Sequence, residues 1–469
     1  MDKHLLKIDA TLWSFIKYML YISLMGTFVL VSGIHIAGYN NLSRTLGVTL
    51  ITYAVSGVLF LKIYGSYDIG RRKSKPIIRS LILASICTDI VTYVQVAVMM
   101  TDVPDVKAFR FNHIGLLAVV MIIQTVLILV FTYGGHGLYF ALHEPERCCI
   151  ITASQKSLNA IVKGIDLYQK QYKIVDIVDY RDPELCTHIL DVDTVFVYDV
   201  PSDISAVVMR ECYKLRKNVY FNPLVEDIMK LHAEQYMLDD IYLLNKNSKV
   251  MTLSQRVVKR LMDVFFSVAG GILFMPLCIG AVIAIKIDDK GPILFKQKRA
   301  TLDGAIIEVY KFRTMKVDAE IKSAMTKDER ITRVGHVLRR TRIDEIPQLW
   351  NVFKGEMALV GPRPEMVKNV KNYTKKLPEF EYRLRMKGGL TGYAQIAGKY
   401  NTPPKDKLTM DMMYIEEFSI WKDIQLIFQT ILVLIKMDST EGFHTETQEY
   451  KYRFIEYRSE EKKGKKQHG

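Results

Sequence analysis

The chain has 469 residues, enough for two or three domains that each bury a core, and it carries a formal net charge of +14. Nearly half of its residues are hydrophobic and these are clustered, so a membrane surface and phosphorylated substrates explain the charge better than nucleic acid does. Its six cysteines (Cys87, Cys148, Cys149, Cys186, Cys212, Cys278) form no C-x-x-C pair and no Cys/His spacing suited to zinc, which argues against a disulfide framework or a zinc site.

Four apolar stretches occupy 12–36, 46–64, 77–100 and 114–133, each long enough to cross a hydrocarbon core at about 1.5 Å per residue. The first lacks a small-residue cleavage site and is followed by further spans, so it is not a cleaved signal. Basic residues are unevenly placed between them. Lys3 and Lys7 precede the first stretch, and Arg44 alone lies in the first loop. Lys62, Arg71, Arg72, Lys73, Lys75 and Arg79 crowd the second, while Lys107 and Arg110 in the third are balanced by Asp102 and Asp105. This bias places the N-terminus and the second loop in the cytoplasm. An even number of spans returns everything after residue 135 to that side. Residues 1–135 are therefore expected to form a four-helix transmembrane bundle. A buried bundle in a soluble protein is disfavoured by segment length.

Residues 146–245 alternate short β-branched or apolar runs (149–152, 173–178, 194–199, 218–221) with helix-like stretches (158–169, 205–216). This βαβ rhythm predicts a small α/β domain with a parallel sheet, a degenerate, Rossmann-like nucleotide fold. The turn after its first strand, Thr152-Ala153-Ser154-Gln155-Lys156-Ser157, has no glycine to let backbone N–H groups approach phosphate. A spacer or dimerisation role is preferred to a cofactor site, which leaves a homodimer open as an assembly.

A third domain is expected over 254–440, followed by a polar tail over 441–469 that ends in a lysine cluster suited to anionic lipid. Its first helix, 261–287, is apolar from Val264 to Ile285. Pro276 lies in the middle, and basic residues flank both ends: Arg256, Lys259 and Arg260 before, Lys286, Lys290, Lys296, Lys298 and Arg299 after. Proline interrupts the helical ladder, and neither flank favours translocation. A re-entrant helix that enters and leaves from the cytoplasm, broken at Pro276, meets both conditions better than a crossing. Next, 293–298 and 306–312 alternate around an Asp303-Gly304 turn, a hairpin signal. Later, Ile420, Trp421, Ile424, Ile427, Phe428, Ile431 and Ile435 fall at helical spacing, with Lys422, Asp423, Gln425 and Gln429 elsewhere on the wheel. Such an amphipathic helix can lie on a bilayer or cap a core.

The chemistry-bearing residues concentrate between Arg330 and Arg363. A helix over 334–342 carries Arg339, Arg340 and Arg342 near its end and leads into Ile343-Asp344-Glu345-Ile346-Pro347. If Asp344 caps a new helix, Pro347 falls in its first turn, where a missing N–H costs nothing. Two carboxylates at a helix start among arginines suit phosphate and a divalent cation, although Asp344 as a plain N-cap is the simpler reading of that segment alone. Three neighbours favour the chemical reading. Lys311 and Arg313 end a hairpin strand, Arg363 stands between Pro362 and Pro364, and Gly388-Gly389-Leu390-Thr391-Gly392 reads as a flexible loop able to bring N–H groups to a ligand.

Residues 254 to about 436 resemble the bacterial sugar transferase family, the polyprenyl-phosphate hexose-1-phosphate transferases. The matching stretches are Lys259-Arg260-x-x-Asp263, Gly291-Pro292-x-x-Phe295-x-Gln297, Lys311-Phe312-Arg313-Thr314-Met315, Arg330 to Arg339, Asp344-Glu345-x-Pro347-Gln348-Leu349-x-Asn351, Gly361-Pro362-Arg363-Pro364 and Thr391-Gly392-x-Ala394-Gln395. The departures are small. Arg342-Ile343 replaces a small residue and Leu, and Gly388 stands where Pro is common. Four spans and a degenerate nucleotide fold ahead of this region resemble the large membrane-anchored members.

The resemblance implies a monotopic α/β catalytic domain at the bacterial inner membrane, facing the cytoplasm, with a UDP-sugar, polyprenyl (undecaprenyl) phosphate and the lipid bilayer as partners. It implies Asp344 as nucleophile, and Glu345 as its helper and fellow Mg²⁺ ligand. Lys311, Arg313, Arg339, Arg363, Thr391 and Gln395 are the implied substrate- and phosphate-binding residues. An inactive structural relative would have lost Asp344, Glu345 or Arg363, and all are present. A multi-span transferase would need clustered aspartates in the first loops, which hold only Asp68, Asp102 and Asp105. Which sugar is carried stays open.

Overall fold

The computed structural model describes residues 3–34, 43–99, 114–246, 251–288, 290–316, 329–398, 402–435 and 454. The side chains of Lys3 and Lys7, the loop with Asp102, Asp105, Lys107 and Arg110, and the tail over 441–469 apart from Phe454 lie outside the described residues. The chain forms two compact units, 1–222 with 448–469 and 223–447.

In the first unit, α1 (Lys3–Gly33), α2 (Arg44–Tyr64), α3 (Ser74–Met99) and α4 (Ile114–Leu142) are each long and apolar enough to cross a membrane. Ser43 starts α2 by accepting the Leu46 N–H (3.1 Å), as an N-cap should. α4 runs past the expected end at 133 to Leu142, because the glycines there leave the helical ladder intact. The bundle is apolar outside and buries polar groups among apolar clusters. Ile22, Leu30, Val55 and Ile122 are exposed, whereas Asp89 and Gln124 are fully buried. Gln124 donates through Nε2 to Leu24 O, Tyr53 Oη and Asp89 Oδ1, each at 3.1 Å. Outward apolar faces joined by inward hydrogen bonds fit a membrane protein.

After the bundle come β1 (Glu146–Thr152), α5 (Gln155–Ile165), β2 (Tyr172–Asp179), β3 (Thr194–Tyr198), α6 (Ser202–Leu215) and β4 (Asn218–Phe221). The strands form one parallel sheet in the order β2-β1-β3-β4. β1 is buried on both sides because its side chains alternate between two cores. Cys149 and Ile151 pack with Val208 and Cys212 of α6, while Cys148 and Ile150 pack with Leu158 and Val162 of α5. In the glycine-free turn, Ser154 caps α5 and accepts the Ser157 N–H (3.3 Å), and the Ser157 hydroxyl donates to Asp199 Oδ2 (2.7 Å).

The second unit begins with α7 (Val225–Leu231) and the hairpin β5 (Glu234–Leu238), β6 (Ile241–Asn245). The expected span 146–245 thus crosses the division between the units. Ile228 of α7 needs an apolar surround and finds it with Val360, Phe380, Leu408 and Met412. The unit continues with α8 (Leu253–Leu273), α9 (Met275–Asp288), β7 (Leu294–Ala300), β8 (Ile306–Phe312), α10 (Arg333–Thr341), α11 (Gln348–Lys354) and β9 (Ala358–Val360). It ends with β10 (Glu365–Met366), α12 (Val367–Thr374), β11 (Gly389–Thr391), α13 (Tyr393–Ala397), α14 (Pro404–Glu416) and α15 (Ile420–Ile435). β7 and β8 form the expected antiparallel hairpin, with Leu294 opposite Phe312.

α8 and α9 meet at a bend of 59° around Phe274, just ahead of Pro276. Pro276 therefore lies in the first turn of α9, where its missing N–H leaves no acceptor wanting. The buried stripe of α8 is polar: Lys259, Asp263 and Ser267, each four residues apart. Its outer face is Leu261, Phe265, Val268 and Ile272, continued on α9 by Leu277, Ile279 and Ile283, all exposed.

Asp423, on the polar side of the α15 wheel, is fully buried, because it pairs with Lys259. One expectation is corrected: the glycines of 388–392 do not form a flexible loop. Gly389–Thr391 is a strand, β11, parallel to β9. A Cβ at Gly389 would stand 2.1 Å from the Gly361 N, so close packing, rather than mobility, demands glycine there.

Candidate active site

Three segments converge on the carboxylate pair. The first is the end of β8, which carries Lys311. The second is α10, which presses on that strand end: Thr332 caps it through the Gly335 N–H (3.0 Å), and a Cβ on Gly335 would stand 2.1 Å from Thr314 O. α10 stops at Arg342, a left-handed residue (φ 56°, ψ 17°) that redirects the chain into a single 3-10 turn, Ile343–Glu345. Such a conformation is unusual for a side chain without a turn-forming amide and often marks a functional site. The third is the Gly361–Pro364 loop after β9, which carries Arg363.

The expected helix start shifts slightly. Asp344 is not the cap of α11 but the centre of the 3-10 turn, and Pro347 is the cap. Asn351 fixes the rest of the motif. Its Oδ1 accepts the Tyr310 N–H (3.1 Å), and its Nδ2 donates to Glu308 O (2.7 Å) and Glu356 Oε2 (2.6 Å), which binds α11 to β8. The Lys-Arg-x-x-Asp motif is also structural. Arg260 donates to the carbonyls of Val352 and Phe353 at the end of α11 (2.7 and 2.6 Å), and Asp263 accepts the Leu359 N–H of β9 (3.0 Å).

Glu345 Oε1 accepts from both Lys311 Nζ (2.7 Å) and Arg363 Nη2 (2.8 Å). Burial alone would raise its carboxyl, but Arg363 and Lys311 hold it well below the usual range, so Glu345 stays ionised. Asp344, only 8% exposed, has the opposite balance. Burial, with the Glu345 charge adding to it, pushes its carboxyl up to about 6 against the pull of Lys311, Arg339 and Arg363. Burial likewise lowers the Lys311 ammonium, opposed by Glu345. Two adjacent carboxyls driven apart in acidity are a hallmark of a chemical site.

Among the residues expected to bind phosphate, Lys311 and Arg363 are thus joined through Glu345, and Arg339 acts electrostatically on Asp344. Arg313 is buried just beyond β8, with its N–H on Ile293 O (2.9 Å). Thr391 and Gln395 are placed otherwise: the Thr391 hydroxyl meets that of Thr430 on α15 (2.8 Å), and Gln395 Oε1 lies beside Gly392. Arg342, which the sequence places among the arginines ahead of the carboxylates and as a departure from the family pattern, acts by its charge on Glu345 and Asp344. Its place two residues before Asp344 is the signal that marks it for the site.

Among the described residues, no group of three or more His, Cys, Asp or Glu could hold a metal by itself. Asp344 and Glu345 do fit Mg²⁺, which commonly takes one or two carboxylates and completes its shell with substrate phosphates and water.

The bacterial sugar transferase family model matches residues 254–437, the stretch that contains every one of these groups. UDP-N-acetylgalactosamine-undecaprenyl-phosphate N-acetylgalactosaminephosphotransferase of Aeromonas hydrophila is 38% identical over 184 residues, covering 38% of this chain and 44% of that protein. UDP-glucose:undecaprenyl-phosphate glucose-1-phosphate transferase of Caulobacter vibrioides is 37% identical over 189 residues, covering 39% and 71%. Exopolysaccharide production protein PSS of Rhizobium leguminosarum is 37% identical over 188 residues, covering 38% and 94%. The chain belongs to the bacterial sugar transferase family. The family region of this chain spans less than half of the Aeromonas protein but almost all of the Rhizobium one, so residues 254–437 correspond to a unit that occurs nearly alone.

Proposed function

We propose that this chain transfers a sugar-1-phosphate from a UDP-sugar to polyprenyl (undecaprenyl) phosphate, releasing UMP, as a first membrane step in exopolysaccharide or capsule assembly. One observation carries the reading. Asp344 is a desolvated carboxylate held by a 3-10 turn beside a Glu345 that Lys311 and Arg363 fix in place. A buried carboxylate with little solvation to shed is suited to attack phosphorus. Asp344 attacks the β-phosphorus, the bond from that phosphorus to the bridging oxygen breaks, and UMP leaves with the electron pair. An aspartyl-phosphosugar remains. An oxygen of the polyprenyl phosphate then attacks the same phosphorus, and the Asp344 carboxylate is restored.

Lys311 and Arg363 orient Glu345, and with Arg339, Arg342 and Arg313 they set a positive surround for diphosphate oxygens. Asp344 and Glu345 would hold a Mg²⁺ ion, which would neutralise diphosphate charge when bound. The polar inner stripe and apolar outer face of α8, with the bend at Phe274, support a re-entrant helix pair that dips into one leaflet. That puts the carboxylates at headgroup level on the cytoplasmic side, where nucleotide and lipid phosphate meet. The parallel sheet of residues 146–221 supports a Rossmann-like domain without a nucleotide, acting as spacer or dimerisation surface.

The purified full chain in detergent, given undecaprenyl phosphate, Mg²⁺ and a panel of UDP-glucose, UDP-galactose and UDP-N-acetylhexosamines, should release UMP with at least one of them. Without the lipid phosphate, release should stop at about one UMP per chain; continued turnover without it, or no release with any donor, would reject the reading.

A further inference from the structure

Arg363 is one of two cations hydrogen-bonded to Glu345. It stands between two prolines in a loop whose backbone is tied by Gly361 N–H to Thr391 O and Gly389 N–H to Pro362 O (both 2.9 Å), while its own carbonyl accepts from a side chain. Among the described residues, the side chains that donate to the carbonyls of Val360 and of the loop after it are buried or half-buried. Lys259 Nζ and Tyr414 Oη donate to Val360 O (2.9 and 3.1 Å), Arg383 Nη2 donates to Arg363 O (2.7 Å), and Arg299 Nη1 donates to Pro364 O (2.7 Å). Of these four contacts, the one from Arg383 falls on Arg363 itself.

Arg383 lies in the 3-10 segment Pro378–Arg385, and its guanidinium stacks over the Phe380 ring at 4.8 Å. Its Nη2 also faces Asp411 Oδ2 of α14 at 2.6 Å, with the two side chains 3% and 1% exposed. At that burial Arg383 cannot touch a nucleotide or a lipid. Its effect on chemistry must pass through the carbonyl that it holds. A buried pair is costly to assemble and is tolerated where it fixes geometry that packing alone does not.

We infer that Arg383 and Asp411 form a positioning pair that sets the backbone of Arg363, and through it the guanidinium that clamps Glu345. Asp411 Oδ2 stands as counter-ion beside Arg383 Nη2, and the same Nη2 donates to the Arg363 carbonyl. The guanidinium of Arg363 is thereby aimed back at Glu345 Oε1. This role rests on the transfer reaction proposed above.

The test is a double-mutant cycle on the full chain in detergent with undecaprenyl phosphate and whichever UDP-sugar the wild type turns over. Arg383→Lys should lower kcat by on the order of 10- to 100-fold, the scale of a small misplacement in a site, while KM for undecaprenyl phosphate stays put. Asp411→Asn should act in the same direction. Arg363→Lys/Arg383→Lys should be no slower than Arg363→Lys alone, because Arg383 works only through Arg363. Multiplying effects in the double variant, or wild-type kcat in Arg383→Lys, would overturn the inference. If Arg383→Lys does not fold, Asp411→Asn and its double with Arg363→Lys take its place. Failure of both single variants to fold would make the pair purely structural and equally overturn it. A wild type inactive with every donor would instead reject the proposed reaction.

Discussion

Lys259 Nζ and Asp423 Oδ2 stand 2.5 Å apart, with side chains 6% and 0% exposed, and join α8 to α15 across a separation of 164 residues. The Tyr414 hydroxyl donates to the other carboxylate oxygen (2.7 Å), and Lys259 also holds Val360 O, so one buried cluster ties the bent helix pair to the strand ahead of Arg363. Removing one charge of such a pair strands the other. Lys259→Met or Asp423→Leu should each cost about 3–5 kcal/mol, whereas the double variant should recover much of that loss. Thermal unfolding in detergent reads the difference. Single variants within about 1 kcal/mol of wild type would show that the cluster is solvated and does not anchor the helix pair.

Asp344→Asn should abolish transfer, lowering turnover at least about a thousandfold, since an amide cannot serve as nucleophile. The same substitution should stabilise the fold. The Asp344 carboxyl is raised from 3.8 to about 6, so its charged form is disfavoured in the folded chain. That cost is present in full above pH 6 and is relieved as pH falls through the folded value towards 4. At pH 7.5 the amide should therefore gain on the order of 2–3 kcal/mol. For the same reason, kcat/KM of the wild type should fall on the acid side with an apparent pKa near 6, as the nucleophile is lost to protonation. An acid limb below pH 5 together with an unstabilised Asp344→Asn would contradict the desolvated carboxylate.

Much of this architecture was legible in the sequence, because it rests on local periodicity. The four apolar helices, the βαβ rhythm, the β7–β8 hairpin and the break near Pro276 all follow from spacing within a dozen residues or so. The polar ties were not. Asp423 sits on the polar side of a helical wheel, yet its partner is Lys259. Lys259 and Arg260 read as flanking charges of an apolar segment, although Lys259 donates to the buried carbonyl of Val360 and Arg260 to those of Val352 and Phe353. The Gly388–Gly392 run was read as mobile because glycine permits it, whereas the neighbouring backbone of Gly361 leaves no room for a Cβ. A pattern within one segment carries no information on what packs against it.

The sheet of residues 146–221 should bind no nucleotide. A phosphate would need the N-terminus of α5, where backbone N–H groups converge. That position already has a carboxylate, Asp199, held by the Ser157 hydroxyl at 2.7 Å, and a second anion there would be repelled. Equilibrium dialysis of the full chain against NAD and ATP should find no binding at micromolar concentration. Micromolar binding that Ser157→Ala or Asp199→Arg alters would return a regulatory site to this domain.

The segment over α8 and α9 should enter and leave the membrane on the cytoplasmic side. Basic residues lie on both sides of its apolar stretch Val264–Ile285, Arg256, Lys259 and Arg260 in the first turns of α8 and Lys290, Lys296, Lys298 and Arg299 after α9, so neither side favours translocation. The helices bend by 59° at Phe274, which suits a turn inside one leaflet better than a straight crossing. The bend is supported from the protein side, because Lys259, Asp263 and Ser267 are buried while the opposite, apolar face is open to lipid. A crossing would also carry Asp344, Glu345 and Arg363 away from cytosolic nucleotide. Single cysteines at Ser254 and Lys290, in a background without the six native thiols, can be tested with a membrane-impermeant maleimide in intact cells. Both should stay unlabelled until the cells are opened. Labelling at 290 alone would mean that the segment spans, and the proposed reaction would lose its compartment. Pro276→Leu restores a backbone N–H and removes the ring that favours the break, so part of the population should shift to that spanning form. Transfer activity should then fall in proportion to the fraction labelled at 290.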